Sequence, residues 1–138
     1  MNRIEFCAKL IQCRQEKGVS KNEMCRLTKL TFSQFQRVEG EPNNFSIDKA
    51  FLYLNALDMR IVLRRGSACF VIDNIESVAK WLTFARKDGH SLRTLATEAE
   101  CSFLTIINVE QARRKVRIDI FLKLVEALDY ALTIEPNE

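Results

Sequence analysis

The chain has 138 residues, of which 47% are apolar, and a formal net charge of +3. This length corresponds to one ordinary domain or two very small ones, and the apolar fraction is sufficient for a hydrophobic core. No apolar run approaches the ~20 residues of a membrane-spanning helix, and the charged stretch MNRIEFCAKLIQCRQEK does not resemble a signal peptide, so we expect a cytoplasmic protein with no membrane partner.

The cysteine and histidine content argues against metal and catalytic sites. Five cysteines, at positions 7, 13, 25, 69 and 101, form no C-x-x-C pair, and His90 is the single histidine. We expect reduced cysteines that fill small apolar spaces, with no zinc site and no cofactor. A nucleophilic cysteine needs a nearby base, and His90 follows a glycine in a predicted turn. The sequence therefore favours a protein that is not an enzyme.

The first 40 residues contain three capping-box signals, in which a polar N-cap residue is followed three positions later by Glu or Gln. These pairs are Asn2 with Glu5, Ser20 with Glu23 and Thr31 with Gln34. Gly18 ends the first helix, because a glycine adopts the positive φ of a helix end at little cost. The pattern predicts three helices, and the second has about eight residues.

A fourth helix and a hairpin follow the first three helices. Ser46 begins the fourth helix, whose inward face is predicted to be Ile47, Phe51, Leu54 and Leu57. The pattern then changes to MRIVLRRGSACFVID, in which branched and aromatic residues flank the turn-like RRGS. This segment predicts a β-hairpin, and YALTI at 130–134 predicts a strand equivalent to its first strand.

The two halves of the chain align without gaps when they are shifted by 71 positions. Fourteen pairs are identical: Ile4/Ile75, Glu5/Glu76, Ala8/Ala79, Lys9/Lys80, Gly18/Gly89, Ser20/Ser91, Phe32/Phe103, Val38/Val109, Glu39/Glu110, Ile47/Ile118, Asp48/Asp119, Ala56/Ala127, Leu57/Leu128 and Asp58/Asp129. We interpret this self-similarity as a tandem duplication. Copy one is residues 1–63, copy two is residues 73–138, and residues 64–72 are the β-hairpin linker.

The second half of the chain repeats most of the helix signals. Asp73 with Glu76 repeats the first capping box, while Ser91 and Ser102 repeat the next two N-caps without the reciprocal acid. The inward face of its fourth helix is predicted to be Ile118, Leu122, Val125 and Leu128. We therefore predict a mainly α protein of two tandem helical domains, each with four to five short helices, in which short β-strands pair the two copies.

The charge is distributed unevenly between the halves. Residues 1–71 hold 12 Lys and Arg against 7 Asp and Glu, which gives +5, whereas residues 72–138 hold 9 against 11, which gives −2. The first half is therefore the better candidate for contact with a polyanion.

The stretch RQEKGVSKNEMCRLTKLTFSQFQRVEG resembles the helix-turn-helix family of lambda repressor and Cro, also called the XRE family. The matching positions are Arg14, Gly18, Val19, Ser20, Met24, Cys25, Leu30, Thr31, Phe35, Val38 and Glu39. Copy two matches more weakly, through Gly89, Ser91, Leu95, Ala96, Cys101, Ser102, Ile106, Val109 and Glu110. The resemblance implies a lambda repressor-like fold in both copies, and it implies a third helix that docks in the major groove of double-stranded DNA.

A partly buried, hydrogen-bonded ion pair is expected between the first and third helices. Arg14 and Glu39 would meet there and fix the angle of the third helix. Copy two has Ala85 at the arginine position, so Glu110 would need Arg86 or water instead. Copy one also departs from the family at Lys29, which replaces the usual turn glycine.

The resemblance implies a set of DNA contacts in copy one: Lys21, Phe32, Ser33, Gln36, Arg37, Asn43 and Asn44. Gln36 and Arg37 could pair with adenine or guanine edges, Ser33 with a base or a phosphate, and Phe32 with a thymine methyl group. Lys21, where the family usually has glutamine, suits a phosphate. The alternatives are core packing for Phe32, a solvated helix face for the three polar residues and a plain turn for the asparagines.

The third helix of copy two, SFLTIINVEQ, is less suited to reading bases. Leu104 and Ile107 occupy the outward positions of Ser33 and Gln36, which leaves Thr105 and Asn108 as polar candidates. The exposed apolar residues indicate a protein partner, self-association through Phe103, Leu104 and Ile107, or tighter burial. The loop RRKVR offers phosphate contacts from Arg113, Arg114 and Lys115, although a solvated basic loop explains it equally well.

Two function classes follow from these observations. The first is a DNA-binding protein, as a transcriptional regulator, in which copy one reads the major groove and the copies form an intrachain pseudo-dimer or copy two mediates assembly. The second is a protein-interaction module, such as an antitoxin-like protein or an adaptor, that uses the helix-turn-helix fold for a protein partner. The polar third helix and the charge of copy one favour DNA.

Overall fold

A computed structural model describes residues 1–40, 44–87 and 89–137. Within them the chain forms eight helices and three strands: α1 (Arg3–Glu16), α2 (Lys21–Thr28), α3 (Phe32–Glu39), α4 (Ile47–Ala56), β1 (Met59–Arg65), β2 (Ala68–Ile72), α5 (Ile75–Arg86), α6 (Leu92–Glu98), α7 (Phe103–Glu110), α8 (Ile118–Ala127) and β3 (Ala131–Pro136). The strands form one antiparallel sheet in the order β2-β1-β3. The predicted mainly helical class is confirmed.

Most of the predicted N-caps are present. The capping boxes of α1 and α3 have both reciprocal hydrogen bonds, and the side chains of Ser20, Ser91 and Ser102 accept from the amide three residues later. In α2 the box is incomplete, because the carboxylate of Glu23 binds Arg26 instead of the N-cap amide. Ser46 begins α4 without a side-chain cap.

The predicted capping box of Asp73 with Glu76 is wrong by one residue. Asn74 is the N-cap of α5, and its Oδ1 accepts from the Ser77 amide at 2.7 Å. The Ser77 hydroxyl in turn accepts from the amides of Asp73 and Asn74 at 3.0 and 3.1 Å. This one hydroxyl satisfies two backbone donors at the helix start, so no glutamate is needed there.

The sheet joins the two ends of the chain. β1 and β2 form the predicted hairpin, in which Ile61 lies opposite Ile72. On the other side of β1, Ile61 lies opposite Ile134 and Leu63 lies opposite Leu132. The pairing between the segments around Ile61 and Leu132 that the sequence predicted is therefore present.

The secondary structure repeats at the spacing of the sequence repeat. The bounds of α3 and α7, and those of α4 and α8, differ by 71 positions. Two left-handed turns also recur without glycine: Lys29 and Glu100 have φ of 61° and 56°, and Asp58 and Asp129 have φ of 56° and 59°. Lys29 thus adopts a left-handed turn conformation although it carries a side chain.

Two antiparallel pairs join residues that are 71 positions apart. Val62 lies opposite Thr133 in the sheet, and Ser46 forms an isolated bridge with Arg117. The bridge is flanked by two reciprocal backbone hydrogen bonds of 2.8 Å, from the Ile47 amide to the 116 carbonyl and from the 118 amide to the 45 carbonyl. An antiparallel pair of equivalent residues has a local two-fold axis between its members.

The core contains residues of both halves. One cluster of buried apolar side chains includes Phe6 and Phe35 from the first half and Trp81 and Phe121 from the second. Trp81 meets Phe121 edge-on, with ring centroids 5.8 Å apart. Of the predicted inward residues of the fourth helices only Phe51 is partly exposed, and the remaining seven are buried. The five cysteines are not disulfide-bonded.

Candidate nucleic-acid interface

The outer face of α3 is polar and unoccupied by the rest of the protein. Ser33, Gln36 and Arg37 are exposed, whereas Phe35 and Val38 on the opposite face are completely buried. Among the described residues, these three outer side chains have no hydrogen-bond or ion-pair partner. Their donors and acceptors are therefore free to contact a ligand.

Both ends of α3 are fixed locally. At the N-terminus the Thr31 hydroxyl accepts from the Gln34 amide at 3.1 Å, and the Gln34 carbonyl oxygen Oε1 accepts from the Thr31 amide at 3.0 Å. At the C-terminus the Gly40 amide donates to the carbonyl of Gln36 at 2.7 Å. A Cβ at Gly40 would lie 2.6 Å from that carbonyl oxygen, so the close turn requires glycine.

A buried polar network holds α3 against α1 and α4. Arg14 Nε donates to Glu39 Oε2 at 2.7 Å, and a second guanidinium nitrogen donates to Glu39 Oε1 at 3.3 Å. This confirms the predicted pairing of Arg14 with Glu39. Arg14 also donates to the Val19 carbonyl at 3.0 Å, in the turn that leads into α2. The bidentate geometry fixes the angle between the two helices.

Tyr53 of α4 completes this network and was not found by sequence reasoning. Its hydroxyl lies 2.5 Å from Glu39 Oε2 and 3.1 Å from the Leu10 carbonyl. Its ring stacks on Phe35, with centroids 5.9 Å apart. Burial, together with the hydrogen bond to Glu39, raises the pKa of Tyr53 far above its usual value, so the phenol stays protonated and donates. The signal available in the sequence was the spacing of Tyr53, which lies four residues before the inward-facing Leu57 and so on the same side of the fourth helix.

Copy two has a more exposed version of this ion pair. Arg86 donates to both carboxylate oxygens of Glu110, so of the two alternatives that the sequence left open, Arg86 or water, the structure has Arg86. The side chains of Arg86 and Glu110 are 24% and 12% exposed, compared with 9% and 4% for Arg14 and Glu39. Water therefore reaches the second pair more easily than the first.

Phe32 does not pack in the core. Its side chain is 54% exposed at the first position of α3, and Phe103 is 53% exposed at the same position of α7. The core-packing alternative for Phe32 is therefore wrong. Lys21 is exposed at the first position of α2 and has no ion-pair partner among the described residues.

Two of the predicted phosphate contacts also link the fourth helices. Asn44 Oδ1 accepts from the Asp119 amide at 3.4 Å and from the Phe45 amide at 3.0 Å. Lys115, the equivalent of Asn44, donates to Asp48 Oδ2 at 3.0 Å, and Asp48 is the equivalent of Asp119. This reciprocal arrangement gives both side chains a structural role, although Lys115 remains half exposed. Asn43 lies outside the described residues.

A small basic cleft lies between α7 and the loop that follows it. Its volume is about 180 Å³, and its lining consists of Thr105, Asn108, Val109, Arg114, Lys115, Val116, Arg117 and Ile120. Arg113 and Arg114 are exposed, and no described residue forms an ion pair with either guanidinium. The loop therefore forms one wall of a cleft and carries arginine side chains that no described carboxylate neutralises.

The outer face of α7 is apolar at its N-terminal end. Leu104 is 58% exposed beside Phe103, whereas Ile107 is only partly exposed, which for Ile107 agrees with the tighter burial that the sequence left open as an alternative. The Thr105 hydroxyl lies 3.0 Å from the Ser102 hydroxyl. The first turn of α7 therefore presents mainly carbon atoms to solvent.

A larger cleft lies elsewhere. It has a volume of about 560 Å³ and is formed by α4, β1 and the segment that leads into α5. It contains carboxylates and Arg60 but no cysteine or histidine, and no group of three potential metal ligands occurs among the described residues. None of the described helices is long and apolar enough to span a bilayer. No protein family, curated protein or solved structure matches the chain.

Proposed function

We propose that the chain is a DNA-binding protein, with the role of a transcriptional regulator, that docks α3 in a major groove of double-stranded DNA. Gln36 suits the N6 and N7 edge of adenine, and Arg37 suits the O6 and N7 edge of guanine. Ser33 can bond a base or a phosphate, and Phe32 can contact a thymine methyl group. Lys21 and Asn44 are proposed to contact phosphates.

The observation that carries this proposal is the free polar face on a rigidly held helix. Ser33, Gln36 and Arg37 have no partner among the described residues, while the opposite side of α3 is buried and tied to α1 and α4. Base recognition is stronger when the hydrogen-bond donors and acceptors are held in position before binding, because ordering them on binding costs conformational entropy and therefore affinity.

A second observation concerns the placement of the two copies. The equivalent pairs Ser46/Arg117 and Val62/Thr133 support one approximate two-fold axis that relates copy one to copy two. Proteins of the helix-turn-helix class bind as two-fold dimers to half-sites about one helical turn apart. In our proposal the duplication supplies this symmetry within one chain, as two tandem lambda repressor-like domains.

The test is selection from a random DNA pool with the full chain, followed by fluorescence titration of the enriched duplex at two salt concentrations. In the wild type, each bidentate base contact should favour the selected base pair over a changed one by about 5- to 150-fold. The double variant Gln36→Ala/Arg37→Ala should lose this discrimination. The control Lys9→Ala/Gln15→Ala also removes one positive charge and one amide, but from the exposed surface of α1. It should retain the selected sequence and the discrimination.

The second candidate is a protein-interaction module, antitoxin-like or adaptor-like, and the exposed Phe103 and Leu104 favour it. Failure to enrich any sequence, together with unchanged DNA binding by Gln36→Ala/Arg37→Ala, would contradict base recognition. Sedimentation of the chain without DNA would then show whether it associates with itself through α7.

A further inference from the structure

The first turn of α7 carries two large apolar side chains that the protein does not cover. Phe103 and Leu104 are both more than half exposed, on a helix that Ser102 caps through the Thr105 amide at 3.2 Å. Leu104 corresponds to Ser33, so copy two has carbon where copy one has a hydroxyl. Exposed apolar surface of this kind is hydrated at a cost in free energy, and covering it with an apolar ligand group is favourable.

A basic loop follows α7, the helix that carries this apolar turn. The stretch 113–117 contains four basic residues and no acidic one. Arg113 and Arg114 have no ion-pair partner among the described residues, and Arg114 lines the cleft that α7 forms with the loop. A neutral apolar protein surface would leave these guanidinium groups uncompensated at the edge of the contact. A polyanion that presents apolar groups would satisfy both features.

Double-stranded DNA has both features, because it is a polyanion that displays apolar groups in its major groove. The C5 methyl group of thymine is the apolar group displayed on the base-pair edges there. Phenylalanine and leucine side chains cannot hydrogen-bond, so placing them over a G·C edge would desolvate its donors and acceptors without replacement. These side chains therefore favour thymine by both attraction and exclusion.

Resting on the proposed function, we infer that copy two binds the same duplex as copy one, through thymine methyl groups. Phe103 and Leu104 contact the methyl groups of a thymine-rich half-site, and Arg113 and Arg114 contact its phosphates. The approximate two-fold axis places α7 as the counterpart of α3. One chain then occupies one asymmetric operator. Copy one recognises one half through hydrogen bonds, and copy two recognises the other half through thymine methyl groups.

The experiment uses the duplex enriched from the random pool and derivatives in which deoxyuridine replaces thymidine in one half at a time. Uracil keeps every hydrogen-bonding group of thymine and removes only the methyl group. For the wild-type chain, uracil in the copy-two half should weaken binding by about 3- to 5-fold for each methyl group contacted. Stoichiometric titration should give one chain per duplex.

The matched variants are Leu104→Ser, which takes the residue that copy one has at this position, and Phe103→Ala. Because both side chains are more than half exposed, the far-ultraviolet circular dichroism of the variants should equal that of the wild type. Leu104→Ser and Phe103→Ala should each lose part of the preference for thymine in the copy-two half, and the double variant Phe103→Ala/Leu104→Ser should bind the uracil and thymine duplexes equally, whereas Gln36→Ala should retain the full preference. Because Gln36 lies on α3, a thymine preference that Gln36→Ala retains is due to α7, and the half in which uracil weakens the binding of this variant is the half that α7 contacts.

The outcomes separate this inference from the proposed function. An enriched sequence whose binding is unaffected by uracil in either half, or a thymine preference that the double variant Phe103→Ala/Leu104→Ser keeps in full, would overturn the inference and leave recognition by α3 in place. A wild-type dimer without DNA that Leu104→Ser converts to a monomer would assign α7 to protein contact and also overturn it. Absence of any enriched sequence would overturn both.

Discussion

Replacing Glu39 by alanine should destabilise the fold much more than the equivalent change in copy two. The substitution removes both carboxylate oxygens that Arg14 binds and one of the two acceptors of the Tyr53 hydroxyl. Arg14 would keep only the Val19 carbonyl, with its side chain 9% exposed, while Tyr53 would keep the Leu10 carbonyl. Removing one partner of a buried pair costs about 3–5 kcal/mol, and the surviving hydrogen bonds place Glu39→Ala near 3 kcal/mol.

Glu110→Ala provides the matched comparison. It removes the same ion pair from copy two, but Arg86 is 24% exposed and can be hydrated once its partner is gone. We expect a loss of about 1–2 kcal/mol. Urea unfolding followed by far-ultraviolet circular dichroism measures both changes, provided that the slope with urea is unchanged. Equal losses, or a loss below about 1 kcal/mol for Glu39→Ala, would refute the view that burial of this network holds α3.

Three further predictions follow from the local geometry. Lys29→Gly should stabilise the protein by about 0.5–1 kcal/mol, because Lys29 has a φ of 61°, whereas the control Lys29→Ala keeps the strained backbone and should give no gain. Gly40→Ala should cost about 1–3 kcal/mol because of the contact with the Gln36 carbonyl, and an unchanged unfolding midpoint would contradict that contact. The hydrogen bond from Arg64 lowers the pKa of Glu135 to about 2 from an ordinary value of 4.5. This carboxylate therefore favours the folded state above pH 4.5, and its contribution is lost as the pH falls toward 2. Titration by NMR should show a pKa near 2 in the wild type and a value nearer 4.5 in Arg64→Gln.

Features that depend on local sequence were predictable. The caps at Asn2, Ser20 and Thr31 require only a few neighbouring residues, and the strand pairing follows from the repeat and the turn chemistry of the hairpin. The error at Asp73 arose because two capping patterns overlap by one residue. The choice between them depends on which side chain reaches two amides, and the Ser77 hydroxyl does so.

Features that depend on the approach of distant segments were not predictable. The distance from Tyr53 to Glu39 depends on how α4 crosses α3, and no periodicity encodes that crossing. The links from Asn44 to Asp119 and from Lys115 to Asp48 require the relative placement of the fourth helices, so the sequence suggested only phosphate contacts there. The sequence left Phe32 open between a DNA contact and core packing, since a residue at the edge of an apolar stripe can lie on either side of it, and only the structure shows its exposure.

A duplicated chain can also recognise a ligand in a way that a homodimer cannot. In a homodimer each substitution in the third helix appears twice, so both half-sites must change together. Here Ser33 and Leu104 occupy equivalent positions with different chemistry, while the ion pairs of Glu39 and Glu110 keep both third helices in place. Under our proposal, binding by copy one makes the contact of copy two intramolecular, which raises its effective concentration and allows its contacts to be weak individually. Loss of Phe103 should therefore weaken operator binding less than loss of Arg37, and the opposite order in the same titration would argue that copy two is the principal reader.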